Sequence, residues 1–375
     1  MAKKIYVGVN NIARNVSKMY VGVNGVARKI KKGYVGVNGV ARLFLKALVS
    51  GFRFYSSSVV SLSYQIGWLD DYCHFGDKDW YIYTNSSYPA TYICDIFNSA
   101  LTRTNRMYAL PNIGSTINTI EGINNDDYVY IRCSDTASPS SYTDNNVVLV
   151  DSNETQVNAL SLYNHIYGSH ARVGDKIVFV GGDAGSGPFS KVEYFDGTVK
   201  SDATSLSQTS YMGSGTSFRD KSYAVFAGGG LSRINFYDST MTRILSQYSG
   251  HPYRGCCGSP LGDDYVLFGG GAIDTVGSSQ QSQVIVCNKS GTTTQLTQLS
   301  SGSWRLRAND YENKTVIPLF ESTVVNVYDD TLTKSSNLTT SGSGKGFKQV
   351  GQIGKYLSIP YGWSNTTIDL FTPIY

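Results

Sequence analysis

The sequence has few charged residues and few prolines: 16% of its 375 residues are charged and nine are proline. It lacks the run of about 18 apolar residues that a transmembrane helix needs, so we expect no membrane insertion. The start, MAKK, leads into an alternating pattern instead of a continuous apolar stretch. We therefore expect no secretory signal and synthesis in a cytoplasm.

Cysteine and histidine are too scattered for a familiar metal site. The six cysteines contain no CxxC pair, and none of the four histidines belongs to an HExxH motif. A chain of this length does not need disulfides to stabilise its core, so we predict buried thiols. His165 and His170, five residues apart, are expected to be structural or exposed. The sequence predicts no metal and no cofactor.

Acidic residues are missing from one end of the chain. Residues 1–69 contain eleven Lys or Arg and no Asp or Glu, because the first carboxylate is Asp70. The remainder contains 21 basic and 28 acidic residues. The sequence is thus divided into a basic head and a mildly acidic body.

The head is a repeat of fourteen residues, with YVGVN starting at Tyr6, Tyr20 and Tyr34. Asn-Gly between short β-branched runs is a strong signal for a hairpin, because both turn residues need positive φ. We predict an antiparallel β-meander of three hairpin repeats over residues 1–47.

Alternation along these strands places the repeated tyrosines on one face and the repeated arginines on the other. So thin a sheet buries little by itself and is expected to pack on a partner or a sister subunit. A free module and non-specific anion or nucleic-acid binding are the alternatives, and nucleic acid is disfavoured because no base-stacking platform accompanies the charge. The predicted partner-docking residues are Tyr6, Arg14, Tyr20, Arg28, Tyr34 and Arg42.

The body repeats more loosely, with a turn and a hydrophobic strand recurring at roughly 40 to 50 residues, which is typical of a β-propeller. We predict an all-β ring of seven blades, with six as the alternative. The predicted domains are the head at 1–47, a linker at 48–57 and a propeller at 58–375. We expect an N-terminal strand, Ser58–Tyr64, to complete the last blade and so remove a sheet edge.

Two resemblances follow from these patterns. Glycine pairs after a hydrophobic strand, as at Gly181-Gly182, resemble the kelch repeat, which implies architecture only. The tandem YVGVNGVAR repeats resemble N-terminal repeats in structural proteins of tailed bacteriophages and prophages of Firmicute-type hosts. That resemblance implies a virion protein of the tail, baseplate or fibre, with other tail or baseplate proteins as partners and a homo-oligomeric state.

The connections between the two hydrophobic strands of each blade are rich in Ser, Asn, Gly and Tyr, a composition that suits protein or sugar surfaces. We therefore expect a host-surface glycan or protein as ligand and no enzymatic activity, since the scattered aspartates are explained by turns. A glycan-degrading tail enzyme and an architectural spacer are the alternatives. The candidate ligand-surface residues are Tyr88, Tyr92, Tyr142, Asp183, Phe189, Asp274 and Trp363.

Overall fold

The computed structural model describes residues 6–9, 12–15, 20–23, 26–29, 32–37, 40–46, 51–57, 59–63, 71–84, 92–108, 117–135, 146–161, 165, 167–183, 187–197, 199–248, 253–274, 277–304, 306–335, 337–341, 350–360 and 366–374. Within these ranges the regular structure is all β. No helix long and apolar enough to cross a membrane occurs in the described part of the chain.

The head contains three antiparallel strand pairs. They are β1 (Tyr6–Val9) with β2 (Ile12–Asn15), β3 (Tyr20–Val23) with β4 (Val26–Lys29), and β5 (Lys32–Val37) with β6 (Val40–Lys46). Arg14, Arg28 and Arg42 occupy equivalent positions, each opposite a valine. The side chains of the head, including the predicted docking tyrosines and arginines, lie outside the described structure. The continuous meander therefore stays a prediction.

The body is a propeller of seven blades, which confirms the predicted number over the alternative of six. Each blade is a four-stranded antiparallel sheet, and its strands are here called A to D from the axis outwards. In the order A to D, blade one is β8 (Asp71–Phe75), β9 (Lys78–Thr84), β10 (Tyr92–Asn98) and β11 (Arg103–Tyr108), and blade two is β12 (Ile117–Asn124), β13 (Val129–Asp135), β14 (Asn146–Val150) and β15 (Gln156–Ser161). Blade three is β16 (Ser169–Val173), β17 (Lys176–Val180), β18 (Val192–Asp196) and β19 (Val199–Asp202), and blade four is β20 (Gly213–Ser217), β21 (Ala224–Gly228), β22 (Leu231–Tyr237) and β23 (Arg243–Tyr248). Blade five is β24 (Cys257–Leu261), β25 (Tyr265–Gly269), β26 (Val284–Asn288) and β27 (Thr293–Gln295), and blade six is β28 (Asn309–Tyr311), β29 (Lys314–Pro318), β30 (Val324–Asp329) and β31 (Leu338–Thr339).

The seventh blade joins the two ends of the body. Its A to C strands are β32 (Gly351–Ile353), β33 (Tyr356–Pro360) and β34 (Ile368–Ile374), and its D strand is β7 (Gly51–Ser56). Phe52 of β7 is buried and meets Tyr311 of blade six edge to face, with ring centroids 5.3 Å apart.

The closing strand therefore lies inside the segment that the sequence predicted as a linker, 48–57, and the prediction of Ser58–Tyr64 was wrong. Both segments alternate, and the earlier one places Phe52 in the core between blades six and seven, whereas Val60 and Leu62 of the later one are buried between blades seven and one. In the predicted segment, Ser61 makes an isolated β-bridge with Thr367, and Leu62 N donates to Thr366 O at 2.8 Å.

Apolar side chains fill the spaces between neighbouring blades. Val178 and Val180 of blade three, for example, share a cluster with Phe226 and Leu231 of blade four, and all four are almost completely buried. Each such side chain contributes about 1.5–3 kcal/mol by burial. The A strands of adjacent blades approach closely around the axis, so that a Cβ on Gly215 would overlap the carbonyl oxygen of His170.

The ring has two distinct ends. The A–B and C–D turns lie at one end, here called the turn face, and the B–C and D–A connections lie at the other, here called the loop face. Gly51 pairs with Ile374, at the end of a C strand that runs towards the turn face. The head consequently joins the ring at the turn face.

Candidate functional site

The predicted ligand-surface residues all fall in B–C connections or at their borders, and the described parts of these connections lie at the loop face. Tyr92 is the first residue of β10, with its side chain outside the described structure. Tyr88, Tyr142 and Trp363 also fall outside the described residues. Asp183, Phe189 and Asp274 can be placed.

Asp183 and Phe189 belong to one connection in blade three and are brought together. The Asp183 carboxylate accepts a hydrogen bond from Gly187 N at 3.1 Å, and Asp183 bridges Pro188 across the loop. Phe189 forms a β-bridge with Ser210 of the next D–A connection. The loop is thus anchored to its neighbour by backbone hydrogen bonds, which holds the Phe189 ring at the loop face.

Asp274 lies in blade five and forms the turn of its own connection. Its carboxylate accepts hydrogen bonds from Gly277 N at 2.6 Å and Ser278 N at 3.0 Å, as an Asx-type turn requires. The neighbouring Ile273 is 64% exposed, an unusual position for an isoleucine. Blade five therefore presents an exposed apolar side chain beside a hydrogen-bonded turn.

A repeated buried polar residue in the C strand, which the sequence analysis missed, fixes the loop face. In blades one, three, four and six it stands three residues before the residue that begins the C–D turn, and in blade seven it has the equivalent position in β34. We call these side chains the latch residues. Four of them accept a hydrogen bond from the backbone N–H of a serine in the preceding D–A connection, over 2.6 to 3.1 Å. The latch residues are Asp95, Glu193, Asn235, Asn326 and Asp369, all completely buried.

Blade three has a different form of this latch. Its residue is Glu193, and Glu193 Oε2 lies 3.1 Å from Nε2 of His165 in the preceding connection. His165 Nδ1 lies 2.6 Å from Gly181 O, so Nδ1 carries a proton, because a carbonyl oxygen only accepts. Burial lowers the pKa of His165, and the hydrogen bond with Glu193 opposes that shift. The Phe189 ring packs against the His165 ring, with the ring centroids 5.2 Å apart.

The buried Glu193 carboxylate is surrounded by cations. Lys191 Nζ and Lys200 Nζ both lie 3.3 Å from its Oε1. Arg132, also buried, donates to the carbonyl oxygen of His165. The expectation of a structural role fits His165, whose ring fastens a loop-face connection to blade three.

The axis of the ring contains two adjoining cavities lined mainly by the A strands. One has a volume of about 490 Å³ and extends towards the turn face, and the other has a volume of about 130 Å³ and extends towards the loop face. Asp71 and His170 line both cavities, with Asp71 Oδ2 3.7 Å from His170 Nε2. Asp71 Oδ2 also accepts from Gly122 N at 2.9 Å, which fixes the carboxylate.

Among the described residues, this is one of two acid and imidazole pairs at the larger cavity, since His74 also lines it and its Nδ1 lies 2.7 Å from Asp79 Oδ1. A carboxylate beside a partly exposed histidine can orient the ring. Arg172 and Arg219 also line the larger cavity, but Arg172 pairs with Asp126 at 2.9 Å and Arg219 with Asp310 at 2.7 Å. The channel is therefore polar, with balanced charge.

The cysteines contribute no exposed nucleophile in the described structure. Five of the six are described as free and buried, in agreement with the prediction, and Cys133 has no described side chain. Burial raises the pKa of the Cys257 thiol to about 12 and raises those of the other four as well. Among the described residues, no group of three or more His, Cys, Asp or Glu side chains could hold a metal ion.

Comparison with known proteins shows the fold. No family model and no curated protein matches the sequence. Among solved structures, a catalytically inactive variant of virginiamycin B lyase from Staphylococcus aureus, determined with quinupristin, has a TM-score of 0.61 at 12% identity, over 86% of this chain and 100% of its own. A streptogramin B lyase has a TM-score of 0.59 at 10% identity, over 85% of this chain and 97% of its own.

These neighbours correct the prediction that the chain is not an enzyme. That prediction rested on the lack of a catalytic motif in the sequence, whereas the solved structures that share the whole ring include lyases. At 10–12% identity, the likeness extends to architecture and not to site residues. The chain has the seven-bladed β-propeller fold that is also found in streptogramin B lyases.

Proposed function

We propose that this chain is a tail component of a bacteriophage particle. The head attaches the chain to the particle, and the ring presents its loop face to a protein or glycan at the host surface. The phage assignment is supported by the resemblance of the YVGVNGVAR repeats, and the division of roles is supported by the topology of the ring.

One observation carries the division of roles. The head enters at the turn face, because Gly51 pairs with Ile374, whereas the connections with the candidate ligand residues lie at the loop face. Attachment and display therefore use opposite ends of a rigid body. A ring held by its turn face directs its loops away from the particle.

The loop face also has the chemistry of a contact surface. Exposed Ile273 and half-buried Phe189 supply apolar area, and the surrounding Ser, Asn and Gln side chains supply hydrogen-bonding groups. The latch residues hold the D–A connections of this face, and Phe189 is bridged to one of them at Ser210, which reduces the entropy lost when a ligand binds.

Removal of residues 1–46 tests the attachment. The truncated chain keeps β7 and hence the closed ring, so we expect a β-type circular dichroism spectrum, cooperative thermal unfolding and loss of the protein from purified particles. The matched control is a full-length chain with the same affinity tag. Particles that incorporate the truncated chain at the level of the control would refute the attachment role.

Catalysis in the axial channel is a second candidate, favoured by the Asp71–His170 pair. The assay is incubation of the purified chain with quinupristin and, separately, with host cell-wall polysaccharide, followed by chromatography of the products. We expect turnover to be lost in the His170→Gln variant and kept in the Asp202→Asn variant, whose substitution lies outside the channel. If neither substrate gives a product, catalysis in the channel is refuted and the binding role stands as the only proposal.

A further inference from the structure

The turn face is the acidic end of the ring. Its A–B turns contain eight acidic and three basic residues, and its C–D turns contain four acidic and two basic residues. The described residues in the connections of the loop face include three acidic and three basic ones. The negative charge of the body is therefore concentrated at one end.

Ion pairs at this face leave much of the charge uncompensated. The net charge of its turns is −7, and two cations of adjoining strands pair with acidic residues of these turns. These are Lys78, which pairs with Glu154, and Arg172, which pairs with Asp126 at 2.9 Å. Asp127 and Asp264 are exposed at the same face. Such a surface attracts a cationic partner over roughly one Debye length, about 10 Å at 0.1 M salt.

A cationic segment enters the ring at this same face. Residues 1–46 contain ten Lys or Arg and no acid. Only residues 47–50 separate the end of β6 at Lys46 from Gly51, and this connection spans about 17 Å at most when fully extended. The third strand pair of the head is thus held close to the acidic surface.

We propose that the turn face of the ring docks the basic repeats, residues 3–46, of the same chain. A short tether gives an effective concentration of order millimolar, so several weak surface ion pairs are sufficient. The recurrence of Arg14, Arg28 and Arg42 at equivalent register positions supplies three cations at the repeat interval. A second copy of the head has to compete with the tethered one.

This inference does not depend on the phage assignment, because it concerns the isolated chain. It also gives a reason for the acid-free composition of the head. A head that is docked through its cations still exposes its other surface, on which the sequence places Tyr6, Tyr20 and Tyr34.

Limited trypsin digestion of the full-length chain tests the docking, since trypsin cleaves after the Lys and Arg of the head. We expect slow cleavage within residues 3–46 at low salt and faster cleavage as NaCl rises, because screening shortens the Debye length to about 3 Å at 1 M. A small peptide substrate corrects for the effect of salt on trypsin. A rate of head cleavage that does not change with salt would overturn the proposal.

Two matched double variants locate the docking surface. Asp127→Asn with Asp264→Asn removes two exposed charges from the turn face, and Asp202→Asn with Glu321→Gln removes two exposed charges near the loop face. We expect the first double variant to increase the rate of head cleavage about fivefold, because two exposed ion pairs with the head are lost. We expect the second to leave the rate unchanged. Equal rates for both variants refute the assigned surface. Protection that disappears on dilution refutes docking within one chain and indicates a second copy.

Discussion

Replacement of a latch residue should destabilise the ring, and Asn235 of blade four is the most informative position. Its Oδ1 accepts from Ser207 N at 3.0 Å, its Nδ2 donates to Arg233 O at 3.0 Å, and the side chain is completely buried. Asn235→Ala leaves the Ser207 N–H without its acceptor, which costs about 1–3 kcal/mol. The lost packing adds about 1 kcal/mol, so we expect a decrease of about 2–4 kcal/mol in the free energy of unfolding.

Urea unfolding, followed by tyrosine fluorescence, measures this change. Ser207→Ala is the matched control, because the Ser207 hydroxyl is buried without a hydrogen-bond partner and its removal leaves the backbone N–H in place. We expect the free energy of unfolding of the Ser207→Ala control to lie within about 0.5 kcal/mol of that of the parent chain. If Asn235→Ala lowers the free energy of unfolding by less than about 0.5 kcal/mol, or if both variants lower it equally, the stabilising role of the latch residue is refuted.

Three further predictions concern the same ring. Gly181 has φ +59° and a Cβ there would lie 2.8 Å from Ser210 O, so Gly181→Ala should lower the urea midpoint by the equivalent of about 1–3 kcal/mol. Partial burial raises the pKa of Asp238, but hydrogen bonds from its C–D turn outweigh this and lower it. The resulting stabilisation is present above about pH 4 and is lost as pH falls through the lowered pKa, so Asp238→Asn should flatten the acid limb of a melting profile. Phe52→Asp should open the junction between blades six and seven, detectable as faster amide exchange in β34, whereas unchanged exchange there would contradict closure by β7.

The number of blades could be predicted from the sequence because it depends on local signals. Each A–B turn is followed by an apolar B strand, as at Gly174 and Asp175 before β17, and these features recur along the chain. Seven such recurrences give seven blades. The glycine pairs helped because Gly181 and Gly182 both have positive φ at the end of a strand.

The closing strand could not be assigned in this way, because strand pairing across the chain ends is non-local. Gly51–Ser56 and the predicted Ser58–Tyr64 both alternate, and each is able to pair by its backbone. The difference lies in the space beside blade six, which Phe52 fills against Tyr311. Sequence periodicity gives no information about that space.

The latch was missed because its members differ in chemistry. Asp95, Glu193 and Asn235 share a strand position but not a side chain, so no motif connects them. A polar residue within an otherwise apolar C strand, three positions before the turn, was the available signal. His165 is informative only when it is placed beside Glu193, 28 residues along the chain.

The orientation of the ring on intact particles tests the central claim most directly. Single cysteines at exposed Glu321, on the loop face, and at exposed Ser239, in a C–D turn of the turn face, can be labelled with maleimide-biotin, since the five described native thiols are buried. The account predicts that streptavidin binds particles with the Glu321→Cys chain and not those with the Ser239→Cys chain, although both chains react equally when free in 1 M NaCl, which releases the head from the turn face. Equal binding to both particles, or binding to Ser239→Cys alone, would contradict it.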